Sequence, residues 1–361
     1  MHAPSTPDQQ APFLHLGGTG AMVRMALANL ALNVLTLSLW RFWGKTRVRR
    51  ALWAGTSAWG DTAEYVGTGR ELFLGFVLVL LLVFLPLAGA FAVVQGLAEA
   101  GHPLAGVAFA ALQALVLFLG AAGLYRARRY QLSRTVWRGI RGNQSGAAWR
   151  YGLLFLGVGL ATVATLGWAW PWAELVLARY RLNNTAFGDC RFRCDATARP
   201  LYKRFAVLWG CAALFASALP MGAVLLVFAN DHTTPAQMAL SVGAFYLLLV
   251  VWGLLTIALP YAWYRAGFYR QMAAHTRFAD TGFALEASTG GLVRLALGNG
   301  LISLLSLGVL RPWAALRTFR YVCTHLRVDG EPDWERIRQS AAPAPRSGEG
   351  LAAVFDGAGG F

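Results

Sequence analysis

The chain has 361 residues, of which 57% are hydrophobic and 14% charged, and a formal net charge of +15. Soluble domains carry about 25% charged residues, so the composition points to a lipid-embedded protein and away from a soluble one. The positive charge does not read as a nucleic-acid interface, because the arginines lie beside apolar runs in the pattern of cytoplasmic anchoring.

In chain order, residues 1–20 form a polar N-terminal segment with no lysine or arginine and no apolar core, so it is not a cleavable signal peptide. Residues 21–70 hold a short apolar segment, Met25 to Trp40, and the basic stretch that follows it. Residues 71–200 open with two long uncharged runs, Leu72 to Ala98 and Pro103 to Tyr125, and reach a second apolar segment, Tyr151 to Ala173. Residues 201–335 repeat that order, with long runs Phe205 to Asn230 and Thr233 to Tyr264, then a third segment, Leu295 to Leu310. Residues 336–361 are small, polar and proline-bearing, and read as a disordered tail. About 20 apolar residues in a helix cross the hydrocarbon layer. All four long runs exceed that length and are assigned as spanning helices, paired into two hairpins.

The three shorter segments are copies of one another. They read Leu-Thr-Leu-Ser-Leu-Trp-Arg-Phe-Trp from Leu35, Thr-Leu-Gly-Trp-Ala-Trp-Pro-Trp from Thr165, and Leu-Ser-Leu-Gly-Val-Leu-Arg-Pro-Trp from Leu305. Aligned, they place Trp43, Trp172 and Trp313 in one column, Arg50, Arg179 and Arg320 in a second, and Thr36, Thr165 and Ser306 in a third. The copies are spaced almost evenly along the chain, with one long hairpin in each gap.

Charge sets the topology. Residues 41–70 hold six Lys/Arg, 126–150 seven, 174–204 seven, 265–294 four and 311–361 seven, whereas the connections 99–102 and 231–232 hold none. Basic loops belong in the cytoplasm. Four crossings satisfy every loop and put both termini inside; seven crossings, the alternative, place two strongly basic loops on opposite sides. On the four-crossing count the copies enter and leave on the cytoplasmic face, as re-entrant hairpins or as helices along the interface. The first copy has Ser38 and Phe42 where the others have glycine and proline, so re-entry is best supported for the second and third.

Alternating apolar and polar residues flank each copy. Phe13-Leu-His-Leu, Arg141-Gly-Asn-Gln and Phe283-Ala-Leu-Glu precede the copies; Ala63-Glu-Tyr-Val, Cys190-Arg-Phe-Arg-Cys and Tyr321 to Gly330 follow them. They predict short cytoplasmic strands pairing across each copy. The fold class is thus mainly α: a polytopic membrane protein of repeated re-entrant or short segments alternating with transmembrane hairpins, plus short β elements.

These residues resemble the bacterial YjgN-type inner-membrane family of unknown function. The resemblance rests on Thr165-Leu166-Gly167 with Trp172 and Arg179-Tyr180, and on Leu307-Gly308 with Trp313 and Arg320-Tyr321, and it extends over roughly residues 13 to 335. It implies an integral inner-membrane protein and supplies no reaction or substrate.

Three sets of residues are candidate ligand or lipid-headgroup contacts. A guanidinium forks onto phosphate, so Arg50, Arg179 and Arg320 suit an anionic headgroup; their ordinary reading is a snorkelling boundary. Trp43, Trp172 and Trp313 line a cleft or belong to an interfacial belt. Thr36, Thr165 and Ser306 bond back to helix carbonyls and, with Gly167, Gly308, Pro171 and Pro312, break the segment. Broken helices at membrane depth line cavities or are buried in protein. His275, Asp280, Glu286 and His325 follow no catalytic spacing, and Cys190 and Cys194 lack a second ligand pair. No enzyme, cofactor or metal is expected, and membrane lipids are the expected partners. Transport of a small or lipidic solute, or a channel for it, is the first reading, and it requires a cavity between copies lined by Thr36, Thr165 or Ser306. A scaffold binding lipid or protein through its basic face is the alternative.

Overall fold

The structure, a computed structural model, describes residues 13–229 and 234–341. The polar segment up to residue 12, the connection at 231–232 and the expected tail from 342 lie outside the described residues.

The helices come in pairs that alternate short and long. The first pair is α1 (Thr19–Leu35) and α2 (Arg41–Ala54). The second rises through α3 (Gly69–Val79) and α4 (Leu85–Glu99) and returns along α5 (Ala105–Ser133). Then come α6 (Ala148–Ala164) with α7 (Trp170–Asn183), and α8 (Arg199–Ala229) with α9 (Pro235–Gly253) and α10 (Leu259–Ala274). The last pair is α11 (Thr289–Leu305) and α12 (Arg311–His325). Single π-helical turns, Leu80–Phe84 and Leu254–Ala258, join α3 to α4 and α9 to α10. Each stands just before a Leu-Pro step, at Pro86 and Pro260, where the missing N–H and the ring displace the preceding turn.

Among the described residues three helices are long and apolar enough to cross a membrane: Gly69–Glu99, Ala105–Ser133 and Ala236–Ala274. The fourth run, from Phe205, lies in α8, which carries Pro220 in its interior. Thr19–Leu35, Ala148–Ala164 and Thr289–Leu305 are apolar but shorter.

Between the helices the chain returns to strands. β1 (Phe13–His15), β2 (Thr56–Ala58) and β3 (Asp61–Thr62) form one antiparallel sheet. β4 (Glu64–Tyr65), β5 (Thr135–Trp137), β6 (Ile140–Gln144), β7 (Thr185–Phe187), β8 (Cys190–Cys194), β9 (Thr276–Phe278), β10 (Thr281–Leu285) and β11 (Leu326–Asp329) form a second sheet in chain order. Every helix pair is therefore an insertion between two neighbouring strands. Across the three short pairs, β1 pairs with β2, β6 with β7 and β10 with β11. The strand expected over 321–330 starts only at Leu326, because Tyr321 to His325 complete α12.

Four strands begin with a threonine that ends the preceding helix. Thr56, Thr135, Thr185 and Thr276 each donate the hydroxyl to the carbonyl four residues back, at 2.8, 3.0, 2.8 and 2.6 Å. Aromatic residues of the hairpins then converge. Trp59, Trp137, Phe187 and Phe278 surround Trp334, with ring centroids 4.9, 4.7, 6.5 and 6.4 Å from it. Residues 336–341, expected within a disordered tail, instead lie against β6 and the β7–β8 turn. Asp189 and Arg338 exchange two bonds (2.9 and 3.1 Å), and Ile337 is buried.

The last helix pair packs on the first. Met22, Val48 and Leu52 share a core with Ala315 and Leu316, and Arg320 donates to Thr19 Oγ1 (3.2 Å) and to the Gly17 carbonyl. Two carboxylates hold the long pairs in place. Glu71 accepts from Tyr130 and Arg134, the latter at 3.0 Å, and Glu174 accepts from Tyr264 (2.8 Å) and Arg265.

Candidate functional site

Each short pair turns at its tip in the same way. After α1, Leu37 and Ser38 are left-handed (φ 49° and 69°); after α6, Leu166 and Gly167 (48° and 89°); after α11, Leu307 and Gly308 (49° and 82°). The second left-handed N–H bonds the carbonyl five residues back: Ser38 to Asn33 (2.6 Å), Gly167 to Thr162 (2.7 Å), Gly308 to Ser303 (2.6 Å). This is the Schellman closure, which usually places glycine where these tips hold leucine. The first copy makes the turn without the glycine, contrary to the expectation that glycine and proline set the bend. Pro171 and Pro312 do not break the chain either; they occupy the first turn of α7 and α12.

The hydroxyl column closes these turns. Thr36 donates to Leu32 O (2.7 Å) and accepts from Trp40 N (2.9 Å); Thr165 donates to Ala161 O (2.8 Å) and accepts from Ala169 N (2.9 Å). Ser306 does the same with Ile302 O (2.6 Å) and Leu310 N (3.1 Å). Each hydroxyl is therefore committed, as donor and as acceptor, to its own hairpin.

The other columns lie on the second helix of each short pair and do not converge. Arg50 donates to Gly67 O (2.8 Å) and Arg320 to Gly17 O, so both guanidinia hold the chain just before a helix. Arg179 makes no such bond among the described residues. Trp43 stacks on Trp40 and packs beside Phe73, Trp172 is exposed, and Trp313 leans on the Met22–Leu316 core.

Contacts with the long helices fix the height of the tips. The Arg41 guanidinium lies 4.8 Å from the Phe76 ring centre, and Trp209 Nε1 donates to the Leu166 carbonyl at 2.9 Å. Phe76 and Trp209 each stand four residues beyond the start of their uncharged runs at Leu72 and Phe205, about 6 Å at the helical rise.

A cavity of about 600 Å³ opens at this height between the first and last short pairs. Arg41, Lys45, Arg49 and Arg311 bring positive charge to its wall, and no Asp or Glu is among the described residues that line it. Leu30, Leu307 and Val309 give it an apolar part. Thr36, Thr165 and Ser306 are not in the wall, which corrects their expected place there. Asn29 Nδ2 bonds Gly44 O (3.5 Å), and Asn299 Nδ2 bonds Ala314 O (3.2 Å) and Thr318 Oγ1 (3.0 Å). Asn29 and Asn299 occupy the same position of their copies, as do Arg41 and Arg311. The middle copy has Val158 and Trp170 there, and Val158 borders a shallow groove with Trp149 and Trp172. Sequence reasoning missed this wall, although Arg41, Lys45 and Arg49 recur every four residues on one helix face.

No catalytic arrangement emerges from the remaining candidates. His275 Nδ1 lies 3.0 Å from Gln271 O, His325 stacks on Tyr321 at 4.0 Å, and Glu286 pairs with Arg327 at 3.4 Å on the surface. Among the described residues no three His, Cys, Asp or Glu side chains are grouped to hold a metal.

Membrane-length apolar helices above a base of short strands mark a membrane protein of unknown role. Residues 10–354 match DUF898, a family of bacterial proteins of unknown function, and the chain belongs to that family. This agrees with the YjgN-type resemblance of its motifs. No curated protein and no solved structure matches the chain.

Proposed function

We propose that this is a multi-pass, non-enzymatic inner-membrane protein with both termini in the cytoplasm, and that it moves a small or lipidic solute drawn from the cytoplasmic leaflet. On this reading two long hairpins cross the bilayer, and a triplicated short hairpin dips into it from the cytoplasmic side. The tip leucines support that placement. Leu37, Leu166 and Leu307 are 89, 81 and 92% exposed and left-handed, a conformation that costs roughly 1–2 kcal/mol outside glycine. Lipid around the side chain returns about 1.5–3 kcal/mol.

The observation that carries the function is the cavity between the first and last short pairs, set at the height of the tips. Solute flux from vesicles holding the purified protein, with lipid profiling of a deletion strain, tests it. Protein-dependent flux and an altered profile are expected; neither appearing would overturn transport. A reporter fused at Thr185 tests the topology, because a periplasmic signal there contradicts four crossings. The scaffold reading is favoured by one observation, the commitment of Thr36, Thr165 and Ser306 to their own turns.

A further inference from the structure

We propose that the cavity between the first and last short pairs binds the phosphate of an anionic amphiphile, with Arg41 and Arg311 as the paired anion contacts. This rests on the membrane placement above and not on the transport step.

Three observations converge. The wall combines cationic and apolar groups, with Arg41, Lys45 and Arg311 sharing one space with Leu30, Leu307 and Val309. A ligand that satisfies both must itself be charged at one end and apolar at the other. The volume of about 600 Å³ lies in the range of small-molecule sites, roughly 300–1,000 Å³.

The second is height. Arg41 stacks against Phe76, four residues into the first uncharged run. A phospholipid of the inner leaflet presents its phosphate near such a boundary and its acyl chains beyond it. The apolar part of the wall includes the tip, at Leu307 and Val309, where those chains begin.

The third separates ligand from fold. All three short pairs close by the same turn, yet the middle one does so with Val158 and Trp170 where the outer two have Asn29 and Arg41, and Asn299 and Arg311. The hairpin does not require the arginine or the asparagine. Both are found in the two copies that border the cavity. Guanidinium forks suit phosphate oxygens, and two of them, one from each copy, line the same cavity.

The test measures retention of phosphatidylglycerol, phosphatidylethanolamine and inorganic phosphate by the intact, delipidated protein, using native mass spectrometry and equilibrium binding. Wild type is expected to retain phosphatidylglycerol at least tenfold better than phosphatidylethanolamine, and inorganic phosphate only weakly. Arg41→Gln with Arg311→Gln is expected to abolish that preference. Arg311→Trp, which leaves the Asn299 bonds to Ala314 and Thr318 in place, installs the residue the middle copy carries at that position, and it should lose at least tenfold in phosphatidylglycerol binding while melting as wild type does. Equal retention of the two lipids, or unchanged binding by this folded variant, overturns the proposal. Inorganic phosphate binding as tightly as the lipid overturns the amphiphile assignment. Selective lipid binding without flux would leave this site standing and remove transport.

Discussion

The indole N–H of Trp209 donates to the Leu166 carbonyl at 2.9 Å, tying the tip of the middle short pair to α8. Leu166 is left-handed, and Trp168 adds edge contacts to Phe205 and Trp209 at 5.9 and 5.8 Å. The hydrogen bond and these ring contacts together hold the tip of this hairpin against its neighbour.

Replacing that donor tests the arrangement. Trp209→Phe keeps an aromatic ring but removes the indole N–H, leaving the Leu166 carbonyl without its partner. A loss of about 1 kcal/mol is expected from a single such bond, read as a shift in detergent-denaturation midpoint. No shift would show that ring packing alone positions the tip.

The first tip carries Ser38 where its counterparts carry Gly167 and Gly308, and it is left-handed at φ 69°. Ser38→Gly should stabilise the protein by about 1 kcal/mol, the strain of a non-glycine residue there. The same measurement on Gly308→Ser should show a loss of similar size.

Trp334 fills the space among Trp59, Trp137, Phe187 and Phe278. It is half-buried, so Trp334→Ala should cost about 2 kcal/mol, below the 3–5 kcal/mol of a fully buried aromatic. Near-ultraviolet circular dichroism should weaken, and limited proteolysis should cut between 331 and 341. Retained protection of that segment would mean that the Asp189–Arg338 contacts hold it alone.

His15 bonds Thr56 Oγ1 through Nδ1 at 2.9 Å, and its Nε2 is buried without a partner. Burial, with the nearby Arg320 charge, holds its pKa below the ordinary value of 6.5. The folded state therefore binds fewer protons than the unfolded chain as pH falls. Its contribution to stability is complete above pH 6.5 and declines as pH drops through 6.5 toward the lowered folded value. Comparing melting in mildly alkaline and mildly acidic buffer for wild type and His15→Gln checks this: the variant should show the smaller acid loss.

The long apolar helices and the strand at Cys190–Cys194 are legible in the sequence because each has a period or a length that one kind of element satisfies. β2, β5, β7 and β9 are not legible, since each is only three residues long and starts two residues after a helix ends. Their signal is the threonine that closes the preceding helix. The cavity escaped for a different reason. Asn29 and Asn299 line one cavity only because the last short pair packs on the first, and no local pattern encodes proximity over that separation. Trp334 escaped because it stands between the last strand and the expected tail, in a stretch with neither helical nor strand periodicity.

Strands β4 to β11 follow one another in the sheet as they do in the chain, and this has a consequence for biosynthesis. Each helix pair leaves one strand and comes back beside it, so each addition can dock on a template already made. Synthesis need not wait for distant partners until the end. Two steps do wait: Arg320 reaching Gly17 and Trp334 settling beside Trp59. Until the final segment has emerged, the assembly remains an open arc, and the cavity between its first and last members does not yet exist.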